Sequence, residues 1–323
     1  MLSFRTTVAQ SASEIKRLVP VWQRLLAMQP HSVFQRLSWN LLAAEIFRPR
    51  LTPLVVCAAS ENGAVIIPAA LNWRTQQIEL LGEALFDYRD VLHAGDGELL
   101  RLAWHSVAEL ELPFRFEAVC EEHANSRWRD FPLQDFTRAP AVSGLSEDEF
   151  RSRHPRLGRH FRRLQREGVQ LEVSTGDNSA LVRHLYQCKA ERFEGDAQNV
   201  FRDLLRREFM TVIAAYEGSH CEIFTLATAG GTLVAGLVSF REEGVRRFYT
   251  VYFDPAWARY SPGVVLVFEV TARSLAQGLE CDYMTGEYPY KLRLANSSKP
   301  LYKVEASAAE MAEIAERPAA QVA

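Results

Sequence analysis

The feature that most limits how this chain can fold is an order of elements that occurs twice: a hairpin, a third strand and then a helix. The first hairpin turns at Asn62–Gly63 and the second at Gly230–Gly231, dipeptides that suit tight turns between antiparallel strands. The strands and helices predicted around these turns are residues 54–58, 64–71, 77–81 and 98–110 in the first half, and 222–228, 232–240, 247–253 and 263–277 in the second. No residue-level repeat accompanies the order, so the sequence predicts a duplication of shape.

The length of the chain also favours two domains, because 323 residues exceed what one hydrophobic core usually holds. Residues 140–146 contain Pro, Gly and Ser, and Ser146 followed by Glu149 resembles a capping box that opens a helix. We therefore predict domains at residues 1–143 and 144–304. Residues 305–323 end in an Ala-rich segment and are predicted to form a weakly ordered tail.

Several classes of protein are disfavoured by what the sequence lacks. The five cysteines are widely spaced, with no CxxC pair and no Cys/His cluster, so no metal site is predicted. The first residues have no apolar core of a signal peptide, and the longest apolar runs are too short to span a bilayer. These observations predict a cytoplasmic protein without a membrane span. No nucleophile elbow, HExxH or Walker motif supports a hydrolase or a nucleotide-driven enzyme.

A family resemblance rests mainly on residues 230–294. Its pieces are Gly236, Tyr252, Tyr260–Ser261–Pro262–Gly263, Asp282, Gly286 and Tyr290–Lys291. This segment resembles the conserved half of the CelD-like (BioF-type) acetyltransferases of the GNAT superfamily, which are similar in turn to the FemAB aminoacyl transferases. Residues 30–40 and 82–92 resemble the first half of the same family. The resemblance implies an α/β fold of tandem GNAT-like halves, with two mixed sheets flanked by helices, and acyl-CoA as co-substrate.

In GNAT folds the CoA pyrophosphate lies at the start of the helix after the third strand, where free N–H groups and the helix dipole attract anions. The resemblance assigns this role to Ser261, Gly263 and Val264, with added charge from Arg259. It implies that a backbone N–H near Tyr252 and Phe253, where the third and following strands splay apart, contacts the cofactor's acyl group and stabilises the oxyanion. The sequence departs from the usual loop because Pro262 removes one donor, and an ordinary turn before a helix is the alternative.

Four residues near the end of the resemblance are candidates for catalysis. Tyr290 is a candidate acid for the leaving thiolate, as is Tyr252 earlier in the chain, and Glu287 and Asp282 are candidate bases. Lys291 matches a family lysine, and it is expected to hold an anionic group or to stabilise an oxyanion. The alternatives are packing for the tyrosine, a solvated loop for Glu287, and an exposed lysine whose replacement costs little stability.

Three further residues are predicted to contact the acceptor. Asp87 and Tyr88 correspond to a family segment on the acceptor side, and Arg192 ends a helix expected to line the same cleft. A charged turn and a solvated helix end are the alternatives. The resemblance implies transfer of an acyl group, in the first instance acetyl, to an amine or hydroxyl of a small molecule, sugar or lipid precursor.

A basic run at residues 151–166 stands out in a chain of net charge −3. Seven arginines, from Arg151 to Arg166, occupy one helical stretch, which favours docking of phosphates, an acyl carrier protein or tRNA. The alternative is a solvated face paired with neighbouring acids. Two other functions stay open: the basic run favours FemAB-like transfer from aminoacyl-tRNA, and Pro262 favours a non-catalytic binding protein that keeps the fold.

Overall fold

The computed structural model describes residues 5–120, 127–128, 130–193 and 199–317. The chain divides into two compact units: unit 1 is Met1–Thr137 with Pro300–Ala323, and unit 2 is Arg138–Lys299. The division lies shortly before the boundary predicted at residue 143. Both units are mixed α/β, with a sheet flanked by helices, as the repeated order of elements predicted.

Unit 1 contains the first hairpin. Its strands are β1 (Arg5–Ala9), β2 (Leu51–Ala59), β3 (Ala64–Asn72), β4 (Gln77–Leu80), β5 (Leu92–Ala94) and β6 (Phe114–Cys120). Its helices are α1 (Ala12–Ile15), α2 (Val19–Met28), α3 (Leu37–Ile46) and α4 (Gly97–Ala108). The sheet order is β1-β2-β3-β4-β6, with β5 also paired to β3. The pairs are antiparallel except that β4 and β6 are parallel.

Unit 2 repeats this sheet order with strands β8-β9-β10-β11-β12, and β7 (Leu133–Val142) pairs with β12. The strands are β8 (Val169–Ser174), β9 (Cys221–Thr228), β10 (Leu233–Glu242), β11 (Val245–Phe253) and β12 (Glu280–Asp282). The helices are α5 (Glu147–Arg153), α6 (Pro155–Arg166), α7 (Ser179–Arg192), α8 (Leu204–Glu217), α9 (Pro262–Ala276) and α10 (Pro289–Leu294). Within the order β8-β9-β10-β11-β12, the neighbours β11 and β12 are parallel and the other pairs are antiparallel. The parallel pair corresponds to β4 and β6 of unit 1.

The described residues after 304 differ from the weakly ordered tail that the sequence led us to expect. Strand β13 (Ser297–Ala306) pairs with β6, and helix α11 (Ala308–Glu316) follows. The helix begins with a capping box in which Ser307 and Glu310 bond each other's backbone N–H groups, and its Met311 and Ile314 are buried in the unit 1 core. Residues 318–323 of the predicted tail lie outside the described ranges.

Each unit has its own apolar core, built from alternate residues of the strands and one face of the covering helices. In unit 1, α4 and α11 pack together over the sheet, with Trp104 and Phe114 in edge-to-face contact. In unit 2, α9 packs on β10 and β11. None of the helices in the described ranges is long and apolar enough to cross a membrane.

The two units differ most in the third strand of the repeated order. In unit 2, β11 pairs with β10 continuously from Val245 to Phe253, apart from one irregularity. In unit 1 the same position beside β3 is shared by β4 and β5, and residues 82–91 leave the strand between them. Gly82 begins this excursion with a φ of 97°, a left-handed conformation that favours glycine. The excursion then bonds β6, because the Arg89 N–H donates to the Ala118 carbonyl.

The predicted acceptor residues Asp87 and Tyr88 lie on this excursion of unit 1. Tyr88 is buried, its ring packs against Phe34, and its carbonyl accepts a 2.8 Å hydrogen bond from the Gln35 amide. Asp87 is half-buried. Tyr88 therefore contributes to the core of unit 1, and the alternative of a solvated charged turn fails for it.

Candidate active site

The candidate site of unit 2 begins where β11 and β12 separate. The two strands pair only from Val245 with Glu280 to Arg247 with Asp282. Beyond Asp282 the chain follows β7 instead, since the Tyr283 N–H donates to the Pro140 carbonyl and the Gly286 N–H to the Arg138 carbonyl. The later residues of β11 consequently have no β12 partner. This is the splayed strand pair that the resemblance implied.

An arginine forms two ion pairs at the point where β11 and β12 begin to separate. The Arg247 guanidinium donates to Asp282 at 2.5 Å and to Glu242 at 2.7 Å. The second Asp282 oxygen accepts a 2.7 Å bond from the Met284 N–H. The carboxylate predicted to act as a base is therefore engaged by an ion pair and a backbone donor, an arrangement that stabilises the end of β12.

The loop between β11 and α9 is a 3-10 helix, Pro255–Tyr260, capped by the Asp254 side chain. Ser261 then takes a left-handed conformation, with a φ of 51°, and α9 begins at Pro262. The Val265 N–H reaches the Ser261 carbonyl at 3.0 Å, so the N–H groups of Gly263 and Val264 are the donors of the first turn. Within the described residues, no side chain caps this end of α9 and its first turn carries no acid.

Gly263 has a packing role besides the predicted one. A Cβ at this position would lie 3.0 Å from Phe253 Cδ1, tighter than an ordinary contact, and 3.4 Å from Val251 Cγ1. The missing side chain lets α9 approach β11 closely. The nearby Arg259 is exposed, and its guanidinium lies 4.7 Å from the Tyr260 ring centre.

The equivalent helix of unit 1 begins differently. Asp96 caps α4, accepting a 3.0 Å bond from the Glu98 N–H. Glu98 adds a second carboxylate to the first turn and pairs with Arg101. Because carboxylates repel phosphates, this helix start is unsuited to a pyrophosphate, whereas the start of α9 is free of acids.

The end of β11 is covered by α7. Arg192 donates a 2.6 Å bond to the Phe253 carbonyl, and its guanidinium lies 3.7 Å from the Phe253 ring centre. The structure thus brings a predicted acceptor residue, Arg192, against the predicted cofactor residues Tyr252 and Phe253. Burial, with smaller effects of Cys188 and Asp254, raises the pKa of Tyr252 to about 12, so this phenol stays protonated at neutral pH.

Two residues of this group were missed by the sequence analysis. Cys188 lies one helical turn before Arg192 and interacts with the Tyr252 side chain, and burial raises its pKa. Its sulfur is 3.8 Å from His184 Nε2, one turn earlier still. The spacing of four residues from His184 to Cys188 to Arg192 signals one helical face, but only the position of β11 shows what that face meets.

Lys291 is buried, with 7% of its surface exposed, and the expectation of an exposed lysine is wrong. It lies in α10, where Nζ donates to the Thr285 carbonyl at 2.6 Å and to the Met284 carbonyl at 3.4 Å. The Tyr288 ring is 5.3 Å from the ammonium. The segment after β12 leads these carbonyls back over the short helix, which is why the lysine points inward.

The two remaining candidates of this segment have opposite surroundings. Tyr290 packs against the unit 2 core, and burial, followed by the neighbouring Tyr288, raises its pKa above the usual value. Glu287 is exposed. The phenol consequently keeps its proton at neutral pH, and the carboxylate is open to solvent.

A family model described as an acetyltransferase (GNAT) domain matches residues 151–292. This finding supports membership of the GNAT superfamily. The matched range contains the splay, the start of α9 and the group around Arg192, and it supports acyl transfer as the general chemistry. A search of curated proteins gives no match for this sequence.

Solved structures share the fold over nearly the whole chain. The C-terminal (DUF2156) domain of a proposed lysylphosphatidylglycerol synthetase from Agrobacterium fabrum has a TM-score of 0.61 and 11% identity, covering 94% of this chain and 95% of that chain. L-PGS from Bacillus licheniformis has a TM-score of 0.57 and 11% identity, covering 93% and 97%. FemX has a TM-score of 0.57 and 9% identity, covering 93% and 96%. At these identities the likeness extends to the fold alone, and the predicted GNAT-like fold is confirmed.

Proposed function

We propose that this protein transfers an acyl group, acetyl in the first instance, from acyl-CoA to an amine or hydroxyl of a small molecule, sugar or lipid precursor. The observation that carries the proposal is the splay of β11 and β12 beside a helix start that lacks both a capping side chain and an acid in the described part of the chain. The CelD-like (BioF-type) resemblance of residues 230–294 supports the same reaction.

In this proposal the first-turn N–H groups of Gly263 and Val264 hold the CoA pyrophosphate, and Arg259 adds a positive charge. Pro262 offers no N–H, so only two backbone donors face the anion. The acyl-bearing arm lies along β11, beside Tyr252 and Phe253, in the gap that the departing β12 leaves open.

The acceptor nitrogen or oxygen attacks the thioester carbonyl, the C–S bond breaks, and the thiolate takes a proton. Tyr252 is the donor we favour, because it lies near the end of the strand that borders the gap and its phenol is protonated at neutral pH. Tyr290 is the second candidate donor. The exposed Glu287 accepts the proton that the acceptor loses, and Lys291 supplies positive potential beyond β12. Asp282 acts through its bonds to Arg247 and Met284, as a positioning residue.

The first turn of α9 offers a direct test by calorimetry with CoA. Val264→Glu places a carboxylate in the first turn of α9, as Glu98 does in α4, and Val264→Gln removes the same half-buried side chain without the charge. We expect wild type to bind CoA with a Kd on the order of micromolar. Val264→Gln should stay within about threefold, and Val264→Glu should bind at least about tenfold more weakly, since an acid at a helix start repels the phosphates.

Absence of CoA binding by the folded wild type would overturn the proposal. Transfer from aminoacyl-tRNA, or a binding role without catalysis, would then be the remaining hypotheses. Equal CoA affinities of the Glu and Gln variants would locate the pyrophosphate away from α9 and would overturn the assignment of this helix start.

A further inference from the structure

Helix α6 carries five exposed arginines that the proposed reaction does not use. We call them the arginine stripe: Arg156, Arg159, Arg162, Arg163 and Arg166. At helical spacing they cover about 120° of the circumference and extend about 15 Å along the axis. The opposite face carries Leu157, Phe161 and Leu164, which pack on the unit 2 core.

The basic run recognised in the sequence separates into two parts in the structure. Arg151 has a structural role, because it bonds Glu147 at 2.7 Å and the buried Glu269 at 3.0 Å. No arginine of the stripe forms an ion pair with an acid in the described ranges. The expected pairing with neighbouring acids is therefore not met for the stripe. Five like charges on successive turns repel one another, and an external polyanion would relieve that repulsion.

The shape of the stripe favours a linear anion over a flat one. Its charges lie on a single helix, and the adjacent β8 exposes Glu172. An anionic membrane would attract a broad basic face more strongly than one narrow row. Successive stripe residues lie about 4.5–6 Å apart along the axis where they are three or four positions apart, a step suited to successive phosphates of an extended strand.

The chemistry of the stripe favours phosphates over a protein partner. Guanidinium groups bind phosphate oxygens in a bidentate way. Besides the arginines, the exposed residues of α6 are Pro155 and Gln165, so this face lacks the large apolar or aromatic side chains that form the centre of protein interfaces.

We propose that the arginine stripe docks the phosphate backbone of a single nucleic-acid strand. Helix α6 packs against the 3-10 helix Pro255–Tyr260, where His160 Nδ1 lies 3.1 Å from the Tyr260 carbonyl oxygen. A docked strand would thus lie beside the loop that leads to α9. The stripe shares no residue with the proposed CoA site, so this partner is additional to acyl transfer.

The test is fluorescence anisotropy of a fluorescein-labelled oligouridylate titrated with the full chain at several salt concentrations. We expect binding whose affinity falls with salt, with a slope of about 0.7 per phosphate contact. Arg159→Glu with Arg163→Glu should weaken binding at least about tenfold and lower the slope by about 1.4. The control, Arg48→Glu with Arg183→Glu, makes the same charge change at exposed positions off α6 and should bind like wild type.

Three outcomes would overturn the proposal. The first is no binding of the oligonucleotide by wild type at low salt. The second is equal weakening by the control pair, which would indicate a diffuse charge effect. The third is capture of the protein by phosphatidylglycerol vesicles, lost in the stripe variant, with no oligonucleotide binding, which would assign the stripe to a membrane surface. CoA calorimetry on the stripe variant keeps this result separate from the proposed function, since its CoA affinity should not change.

Discussion

The starts of helices α4 and α9 show how one order of elements produces two different surfaces. In unit 1 the corresponding positions are filled by the chain itself: Asp96 and Glu98 lie at the start of α4, and the excursion at residues 82–91 bonds β6 through Arg89. In unit 2 the third strand is continuous, β12 turns away from it, and α9 begins without a cap from the described residues. The comparison shows that the same order of elements leaves a helix start without acidic side chains in unit 2 and fills it with two carboxylates in unit 1, which is why the proposed ligand site is assigned to unit 2.

The largest expected effect is a loss of stability in unit 1 that leaves the proposed CoA binding by unit 2 unchanged. A Cβ on Gly82 would lie 2.1 Å from the Phe86 ring, and the residue has a φ of 97°. We expect Gly82→Ala to lower the free energy of unfolding by about 3 kcal/mol, from the left-handed backbone and the clash together. Urea unfolding measures this loss, and calorimetry on the folded fraction should give an unchanged CoA affinity.

Gly244→Ala is the matched control for that substitution. Gly244 has a φ of 71° and open space where its Cβ would stand, so it isolates the backbone cost, about 1 kcal/mol. If Gly82→Ala weakened CoA binding by the folded protein, the separation of a structural unit from a binding unit would be wrong.

The next largest effect is expected at Lys291 in unit 2, and it tests whether this residue acts in the reaction or only in folding. Because the ammonium is buried and donates to two carbonyls, Lys291→Met should cost about 2 kcal/mol of stability, contrary to the expectation for an exposed lysine. If Lys291 also acts in the reaction, turnover per folded molecule should fall at least about tenfold. Lys291→Arg should restore part of the turnover, since the guanidinium keeps the charge with a different shape.

Chemical unfolding and steady-state kinetics on the same preparations separate the two roles of Lys291. Loss of stability with turnover within about twofold of wild type, or roughly 0.4 kcal/mol, would make Lys291 a structural residue only. Its role would then be packing and hydrogen bonding, like that of the buried Tyr88 in unit 1.

The smallest effect concerns the cap of α4. Asp96→Ala removes the acceptor for the Glu98 N–H and should cost about 1 kcal/mol of stability, whereas Asp96→Asn should cost less because its side chain still caps. Both variants should bind CoA like wild type. Thermal unfolding and calorimetry check this prediction, and a gain of CoA binding at α4 in Asp96→Ala would contradict it, since Glu98 still places a carboxylate in that first turn.

Signals that act over a few residues were sufficient to predict the hairpins. The turns at Asn62–Gly63 and Gly230–Gly231 lie in the β2–β3 and β9–β10 connections, and the predicted helices at 98–110 and 263–277 correspond to α4 and α9. Tight turns and helix periodicity depend on neighbouring residues, so these elements are visible in a single sequence. The capping box at Ser307 is equally local, and noticing it would have predicted α11.

Contacts between distant residues explain what the sequence analysis missed. The burial of Lys291 depends on carbonyls that follow β12, and the excursion of unit 1 depends on a bond from Arg89 to β6. The group of Cys188, Arg192 and Tyr252 forms only when α7 crosses the end of β11. Sequence spacing identifies a helical face but gives no information on which strand covers it.

The last feature concerns the order in which the chain leaves the ribosome. Unit 1 takes its final strand and helix from β13 and α11, so Val304, Met311 and Ile314 of its core are the last to be synthesised. Residues 138–299, which form unit 2, emerge before them. Domains generally fold as they emerge, but unit 1 cannot complete its core at that point. The edge of β6 that pairs with β13 stays unpaired until the residues of unit 2 have been synthesised. During synthesis the unit begun first is finished last.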